Sequence, residues 1–314
     1  MPKFEAVFVG FATLDISGRP VPDLPEGGGL AFIDEIRLNP AGTASGAALN
    51  AAKLGISSSL VSCIGDDEKG DFVLQACEKL GLDCSLTQRT NRAQTSSTIL
   101  TIRPNGDRPC LHSRGASDYL FVGDELFDDV CDARFLHYGG TGFIRAMETG
   151  QGAKLLQYAK SKGLTTTFDL IAPEEDTVGK LRDLLPYVDY FMPSMEEAAE
   201  MSGLKDPGDI AQYFMDLGAS NCIFKWGSKG SFIKTSDAEF RIPAYKVIVE
   251  DTTGCGDSYC GGFIAGMSMN YGLEDACRLG TATSGLVASG LGSDAGVIDL
   301  ESTLVFMNTA DLLS

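Results

Sequence analysis

The residues best suited to chemistry lie in one stretch, EDTTGCGDSYCGGFIAGM, from Glu250 to Met267. In Asp251-Thr252-Thr253-Gly254-Cys255-Gly256-Asp257, two glycines flank one small residue, and an acid then opens an apolar run. That order suits a tight turn that hands the chain to a helix. The amides of Gly254, Cys255 and Gly256 would then be unpaired donors at a helix N-terminus, which is an anion site. Side chains in place of the glycines would hold the backbone away from a bound phosphate. Asp257 repels a resting phosphate, so at this place it makes most sense as a general base for an incoming hydroxyl. Taken alone, either half of the stretch is met by a glycine turn with an aspartate N-cap. Cys255 adds a further expectation, since a thiol at a helix N-terminus ionises more readily than an average cysteine.

Composition narrows the partners. A chain of 314 residues, 44% hydrophobic, can bury a large core. A net charge of −18 argues against a nucleic-acid backbone or an anionic membrane as partner. No run of about 18 apolar residues offers a membrane span. The start, MPKFEAVFVG, has no charged region followed by an apolar stretch and cleavage site, so no signal peptide is expected. Nine cysteines without a CxxC pair read as reduced, cytoplasmic and mostly buried. The only histidines, His112 and His137, leave little for a zinc site or a Ser-His-Asp triad. His137, inside an apolar run, reads as a satisfied strand residue. Neither GxxxxGK[ST] nor a GxGxxG after the first strand is present, which removes the main support for Walker ATPases and Rossmann dehydrogenases.

The elements that must position the motif can be read in order. Residues 4–10 read as a buried first strand ending in Gly10, and Asp15 falls just beyond it, where ligands of open α/β sheets collect. On spacing alone Asp15 serves equally as a turn former before Ser17-Gly18. Residues 30–38 alternate as a half-exposed strand, with Leu30, Phe32, Ile36 and Leu38 on one face. Asn105-Gly106 between the strand-like runs 97–103 and 108–114 signals a hairpin. Together these segments predict a small β-sheet projecting from the main body. Small residues from Ala41, including Gly42, Thr43 and Gly46, lead into a helix ended by Gly55. A strand at 60–64 and a helix to Gly81 follow. From residue 134 strands and helices alternate, which predicts an α/β fold with a doubly wound, mostly parallel sheet flanked by helices.

As a unit, residues 251–257 resemble the Asp-Thr-x-Gly-Ala-Gly-Asp signature of the ribokinase-like (phosphofructokinase-B) carbohydrate kinases, with Cys255 in place of alanine. The resemblance runs from about residue 5 to 310 and implies one ribokinase-like domain, 1–314, whose lid comes from segments near 14–40 and 87–115. It implies transfer of the ATP γ-phosphoryl group to a hydroxyl of a small sugar or sugar derivative. Asp257 would be the base and residues 254–256 the anion hole. Asp15, Gly42, Thr43 and Gly46 would lie against the sugar, Gly46 standing where the family has asparagine. That loss leaves room for a bulkier acceptor, so a nucleoside kinase is the alternative; a catalytically silent, sugar-sensing relative is a third reading. Lys225-Trp226-Gly227-Ser228-Lys229-Gly230 resembles the nucleotide loop, and Gly292 falls in a glycine-rich loop expected near adenine. Asp169 stands where the family often has Asp-x-Asn-x-Arg, whose other members are missing here. Pro193-Ser194-Met195-Glu196-Glu197-Ala198 resembles the Pro-Asn-x-x-Glu-Ala motif, so Glu197 would hold Mg2+ through water; a first-turn acid complementing the helix dipole would look the same. Asp251 and the Thr253 carbonyl resemble positions that bind a monovalent cation such as K+. The lid also implies a homodimer.

Overall fold

A computed structural model describes residues 2–313. The apolar run Phe4–Gly10 forms β1, buried along nearly its whole length as an interior strand must be. Then come β2 (Thr13–Arg19), β3 (Glu35–Ala41), α1 (Thr43–Lys53), β4 (Ser58–Val61), β5 (Cys63–Gly65), α2 (Glu68–Lys79) and β6 (Gln88–Thr90). The hairpin β7 (Ser97–Thr101) and β8 (Cys110–Ser113) precedes an alternating stretch: α3 (Phe127–Val130), β9 (Ala133–Thr141), α4 (Gln151–Ser161), β10 (Thr165–Leu170) and α5 (Thr177–Leu184). It continues through β11 (Tyr190–Phe191), α6 (Met195–Ser202), α7 (Pro207–Asp216) and β12 (Asn221–Lys225). The last third holds β13 (Ser231–Lys234), β14 (Glu239–Ile242), α8 (Cys255–Ser268), α9 (Leu273–Ala288) and α10 (Leu300–Thr309).

The main sheet runs β14-β13-β12-β11-β10-β9-β1-β4. All its neighbours pair in parallel except β12–β13 and β13–β14 at one edge. Strand alternation splits the core into two layers. Val7 and Val9 pack with Leu155, Leu181 and Phe214 from α4, α5 and α7. Ala6 and Phe8 pack with Leu49, Phe263 and Leu279 from α1, α8 and α9. The sheet is therefore doubly wound, as expected. Its order reverses at β1, where the chain first steps out to β4 and later returns on the other side through β9. Ligands of such sheets bind beyond the strand ends at this reversal.

The small sheet, β3-β2-β7-β8, crosses over that position. Three expectations need correction here. The strand expected at 30–38 begins only at Glu35, although Ile36 and Leu38 do share an exposed face. Asp15 is not beyond a strand end or in a turn but inside β2, a strand whose Thr-Leu-Asp-Ile-Ser-Gly-Arg sequence carries too few apolar residues to show a clear period. The strand expected at 60–64 divides into β4 and β5, which belong to different sheets. Register makes the small sheet two-faced. Asn39, Asp15, Thr98 and His112 form one row across its four strands. The next row is Leu38, Ile16, Ile99 and Leu111, of which Leu38, Ile99 and Leu111 are exposed. One residue of register separates a polar inner face from an apolar outer one.

Candidate active site

A single cavity of about 820 Å³ lies between the small sheet and the C-terminal ends of the main strands. Its walls bring together Asp15, Gly42, Thr43, Glu197, Lys225, Gly227, Gly230, Thr253, Gly254, Cys255, Gly256 and Asp257. These residues come from positions 15 to 257 of the chain. Gly46, Asp251 and Gly292 lie just behind the wall.

The turn is built as its glycines dictate. Gly254 is the N-cap of α8, at φ 75°, a left-handed conformation that side-chain-bearing residues rarely adopt. A Cβ there would lie 2.4 Å from Cβ of Ser293. The first bond of the helical ladder runs from the Ser258 amide to the Gly254 carbonyl at 2.8 Å, so the amides of Gly256 and Asp257 precede it and face the cavity end. The Cys255 amide reaches only the Thr252 carbonyl, at 3.4 Å. Asp257 is thus in the first helical turn and is not the N-cap. Gly254→Ala is expected to combine left-handed strain of about 1–3 kcal/mol with a clash against Ser293. Nucleotide affinity and Tm should fall together; wild-type values of both would remove the requirement for glycine.

Electrostatics separate the acids. Burial pushes the Asp257 carboxyl up, while Lys225 and Arg108 pull it back. Burial raises Asp15 to about 7, opposed by a hydrogen bond with the Thr98 hydroxyl. Asp169, at the end of β10, is raised by burial to about 6 and paired with Lys225 Nζ at 2.5 Å. Burial disfavours the Lys225 ammonium, but Asp169 outweighs it and keeps the lysine charged. A Cβ on Gly256 would sit 3.2 Å from Lys225 Nζ, so this ammonium stands beside the anion turn.

Several expectations change. The Cys255 thiol is pushed up to about 12, because burial outweighs the helix N-terminus and Arg108. The easier ionisation expected of a thiol at a helix N-terminus is therefore outweighed. Gly46 does not open space for a larger acceptor: a Cβ there would meet Asp257 Cβ at 3.0 Å and Oδ2 at 3.1 Å. Its glycine makes room for Asp257 itself. Gly292, expected near adenine, is not in the cavity wall; its amide donates to Asp251 Oδ2 at 3.0 Å. Asp251 Oδ1 accepts from the Thr253 amide at 2.9 Å and the Thr253 hydroxyl at 2.7 Å. Glu197 closes a capping box with Ser194 and also lines the cavity, so both readings of it are compatible.

Other participants have no sequence signature. Arg108, from the hairpin loop, enters the cavity and donates to the Thr252 hydroxyl at 3.0 Å. Thr13 and Thr43 line the same cavity, and their buried hydroxyls have no partner. His112, set aside by the sequence reading, stacks edge-on against Phe143 at 5.0 Å and lines the wall; its Nε2 is likewise unpartnered. His137 is a buried strand residue but only half satisfied: Nδ1 bonds to Thr167 at 2.8 Å, Nε2 has no partner, and burial holds the ring neutral by lowering it to about 3.

Free amides at a helix start, an elevated acid beside them and buried unpartnered hydroxyls in the same wall would suit phosphoryl transfer to a polyol. The family profile described as pfkB family carbohydrate kinase matches residues 6–299. The chain belongs to this family. Among curated proteins, this pfkB kinase is 28% identical over 294 residues to a 2-dehydro-3-deoxygluconokinase of Bacillus subtilis, covering 90% of this chain and 91% of that one. It is 26% identical over 268 residues to a ribokinase of Staphylococcus aureus, covering 83% and 85%. In fold it is similar to an Arabidopsis thaliana ribokinase complexed with ribose and ATP, at TM-score 0.81 and 21% identity, covering 97% and 99%. It is equally similar to a structure from E. coli described as a ribokinase II in complex with ATP and Mg2+, at TM-score 0.82 and 21% identity, covering 97% and 99%. The protein is an ATP-dependent phosphotransferase acting on a hydroxyl of a small sugar or sugar derivative. Among the described residues no helix is long and apolar enough to cross a membrane.

Proposed function

We propose that Asp257 takes the proton of the acceptor hydroxyl while the amides at the start of α8 steady the transferring phosphoryl group. The observation that carries this reading is one cavity whose wall contains the anion turn, Asp257, Asp15 and the partnerless Thr13 and Thr43 hydroxyls. Asp15, Thr13 and Thr43 bind the polyol. Lys225, Gly227 and Gly230 line the nucleotide side, with Tyr245 and Gly285 further along. Glu197 would hold Mg2+ through water, and the metal would neutralise phosphate charge there.

Among sugars we favour sugar acids. Arg108 offers a guanidinium at the same end as Asp15, and the Bacillus subtilis relative is a 2-dehydro-3-deoxygluconokinase. A nucleoside is the second reading, because Phe11 and Phe143, 5.0 Å apart, line that end and could stack a base. Pentoses, hexoses, sugar acids and nucleosides tested for acceptor-dependent ADP release will decide. Turnover of a sugar acid, weakened at least tenfold in KM by Arg108→Met, is the expected result. ATP binding without turnover of any acceptor would point to a sensor.

The small sheet serves as a lid that closes over the acceptor, and its apolar outer row pairs two copies of the chain. Hydrogen exchange in residues 35–41 and 97–113 is expected to slow when acceptor is added. Equal exchange with and without an active acceptor would exclude closure. A fully active monomer in light scattering at micromolar concentration would exclude an obligate dimer. We place the enzyme in the reducing cytoplasm, in keeping with its nine free cysteines.

A further inference from the structure

We propose that this kinase carries its own cations at the loop beside the anion turn, Lys53 and Arg37, and therefore needs no dissolved alkali cation. The proposal rests on the phosphotransferase reading of the same site. It concerns the position that the sequence resemblance gave to a monovalent cation, beside Asp251 and Thr253.

A cation there would have to compete with the donors that Asp251 and the neighbouring loop carbonyls already serve. Both carboxylate oxygens of the buried Asp251 already accept hydrogen bonds, Oδ1 from Thr253 and Oδ2 from the Gly292 amide. In a trans peptide the C=O and N–H point opposite ways, so directing the Gly292 amide at Asp251 turns the Leu291 carbonyl outward. Arg37 Nη1 donates to that carbonyl, and Arg37 Nη2 donates to Asp294 Oδ1 at 2.9 Å. The Ala288 carbonyl is also occupied, by the Glu250 amide at 2.8 Å. Two further carbonyls of the loop and the Asp294 carboxylate meet an ammonium. Lys53 Nζ lies 2.7 Å from the Asp294 carbonyl, 3.1 Å from the Val297 carbonyl and 2.7 Å from Asp294 Oδ2. Three acceptors match the three donors of an ammonium group. Lys53 and Asp294 are only 14% and 10% exposed, which limits screening by dissolved salt.

This loop sets the anion turn. Ser293 lies where a side chain on Gly254 would fall, and it is fixed by Asn39 at 3.0 Å, by the Pro40 carbonyl at 2.8 Å and by Asn50 at 3.0 Å. Lys53 and Arg37 are positioning residues that act through Ser293 and Gly292 on the amides receiving the phosphoryl group.

The test compares buffers of equal ionic strength containing K+, Na+ or tetramethylammonium as the only monovalent cation. Wild-type ADP release is expected to agree within about twofold in all three, and ADP with magnesium should raise Tm equally in each. Lys53→Met should lose about tenfold in kcat in tetramethylammonium, with part of the loss recovered in K+. Lys53→Arg should keep the wild-type rate. A purely structural lysine would lower Tm without creating any dependence on K+. Arg37→Gln gives the same comparison if Lys53→Met does not fold. Stimulation of the wild type by tenfold or more in K+ would overturn the proposal, as would full activity of Lys53→Met in tetramethylammonium. The ADP thermal shift reads the anion turn without turnover, so a mistaken acceptor would leave the cation comparison intact.

Discussion

Asp257→Asn is expected to lower kcat by about 10² to 10⁴ while leaving nucleotide binding within a few-fold of wild type. The substitution keeps the size of the side chain, and with it the contact with Gly46, but removes the proton acceptor. Burial raises the Asp257 pKa, so the base is lost by protonation as pH falls, earlier than for an ordinary aspartate. Wild-type kcat should therefore rise with pH across the acidic limb, and the residual rate of the variant should be flat there. Turnover within a few-fold of wild type, or an unchanged acidic limb, would assign the proton transfer to another group.

The second large effect is at Asp15, where function and stability should move in opposite directions. Sugar hydroxyls donate to a carboxylate, not to its acid. With Asp15 raised to about 7, the ionised fraction falls from most molecules at pH 8 to about a tenth at pH 6, so KM for the acceptor should rise about tenfold over that interval. Asp15→Asn should raise KM by about 10- to 100-fold at pH 8, since hydrogen bonds to a charged acceptor are the ones lost. Its effect on stability follows from the sign of the shift. The folded-state pKa lies above the unfolded value of 3.8, so the fold is favoured at low pH and loses stability as pH rises towards 7, where Asp15 must ionise while buried. Asparagine removes that cost, which is on the order of a few kcal/mol. The variant should melt higher than wild type at pH 8, and the gain should shrink towards pH 4. A variant that melts lower at pH 8, or that binds acceptor normally, would place Asp15 outside the acceptor site.

The part of this protein written into its sequence is local. Residues 251–257 determine a glycine turn at a helix start because glycine spacing and an apolar run act over one or two turns of chain. The alternating elements from residue 134 onward likewise carry their periods in short windows, and β1 announces itself as a continuous apolar run. Strand β2 does not, because its role is to carry Asp15 inward, and a polar row breaks the pattern that would reveal it.

Tertiary structure decided everything that depends on groups far apart in the chain. Cys255 has the sequence position of an activated thiol, yet its ionisation is governed by how completely its neighbours exclude water. Gly46 reads as free space in one dimension and is filled by Asp257 in three. Arg108 reaches Thr252 across 144 residues, and Lys53 meets Asp294 across 241. Register across the small sheet selected which side chains face the cavity, because a shift of one residue turns each to the opposite face. Desolvation, charge pairing and register are properties of packed neighbours, and in this chain those neighbours come from distant segments.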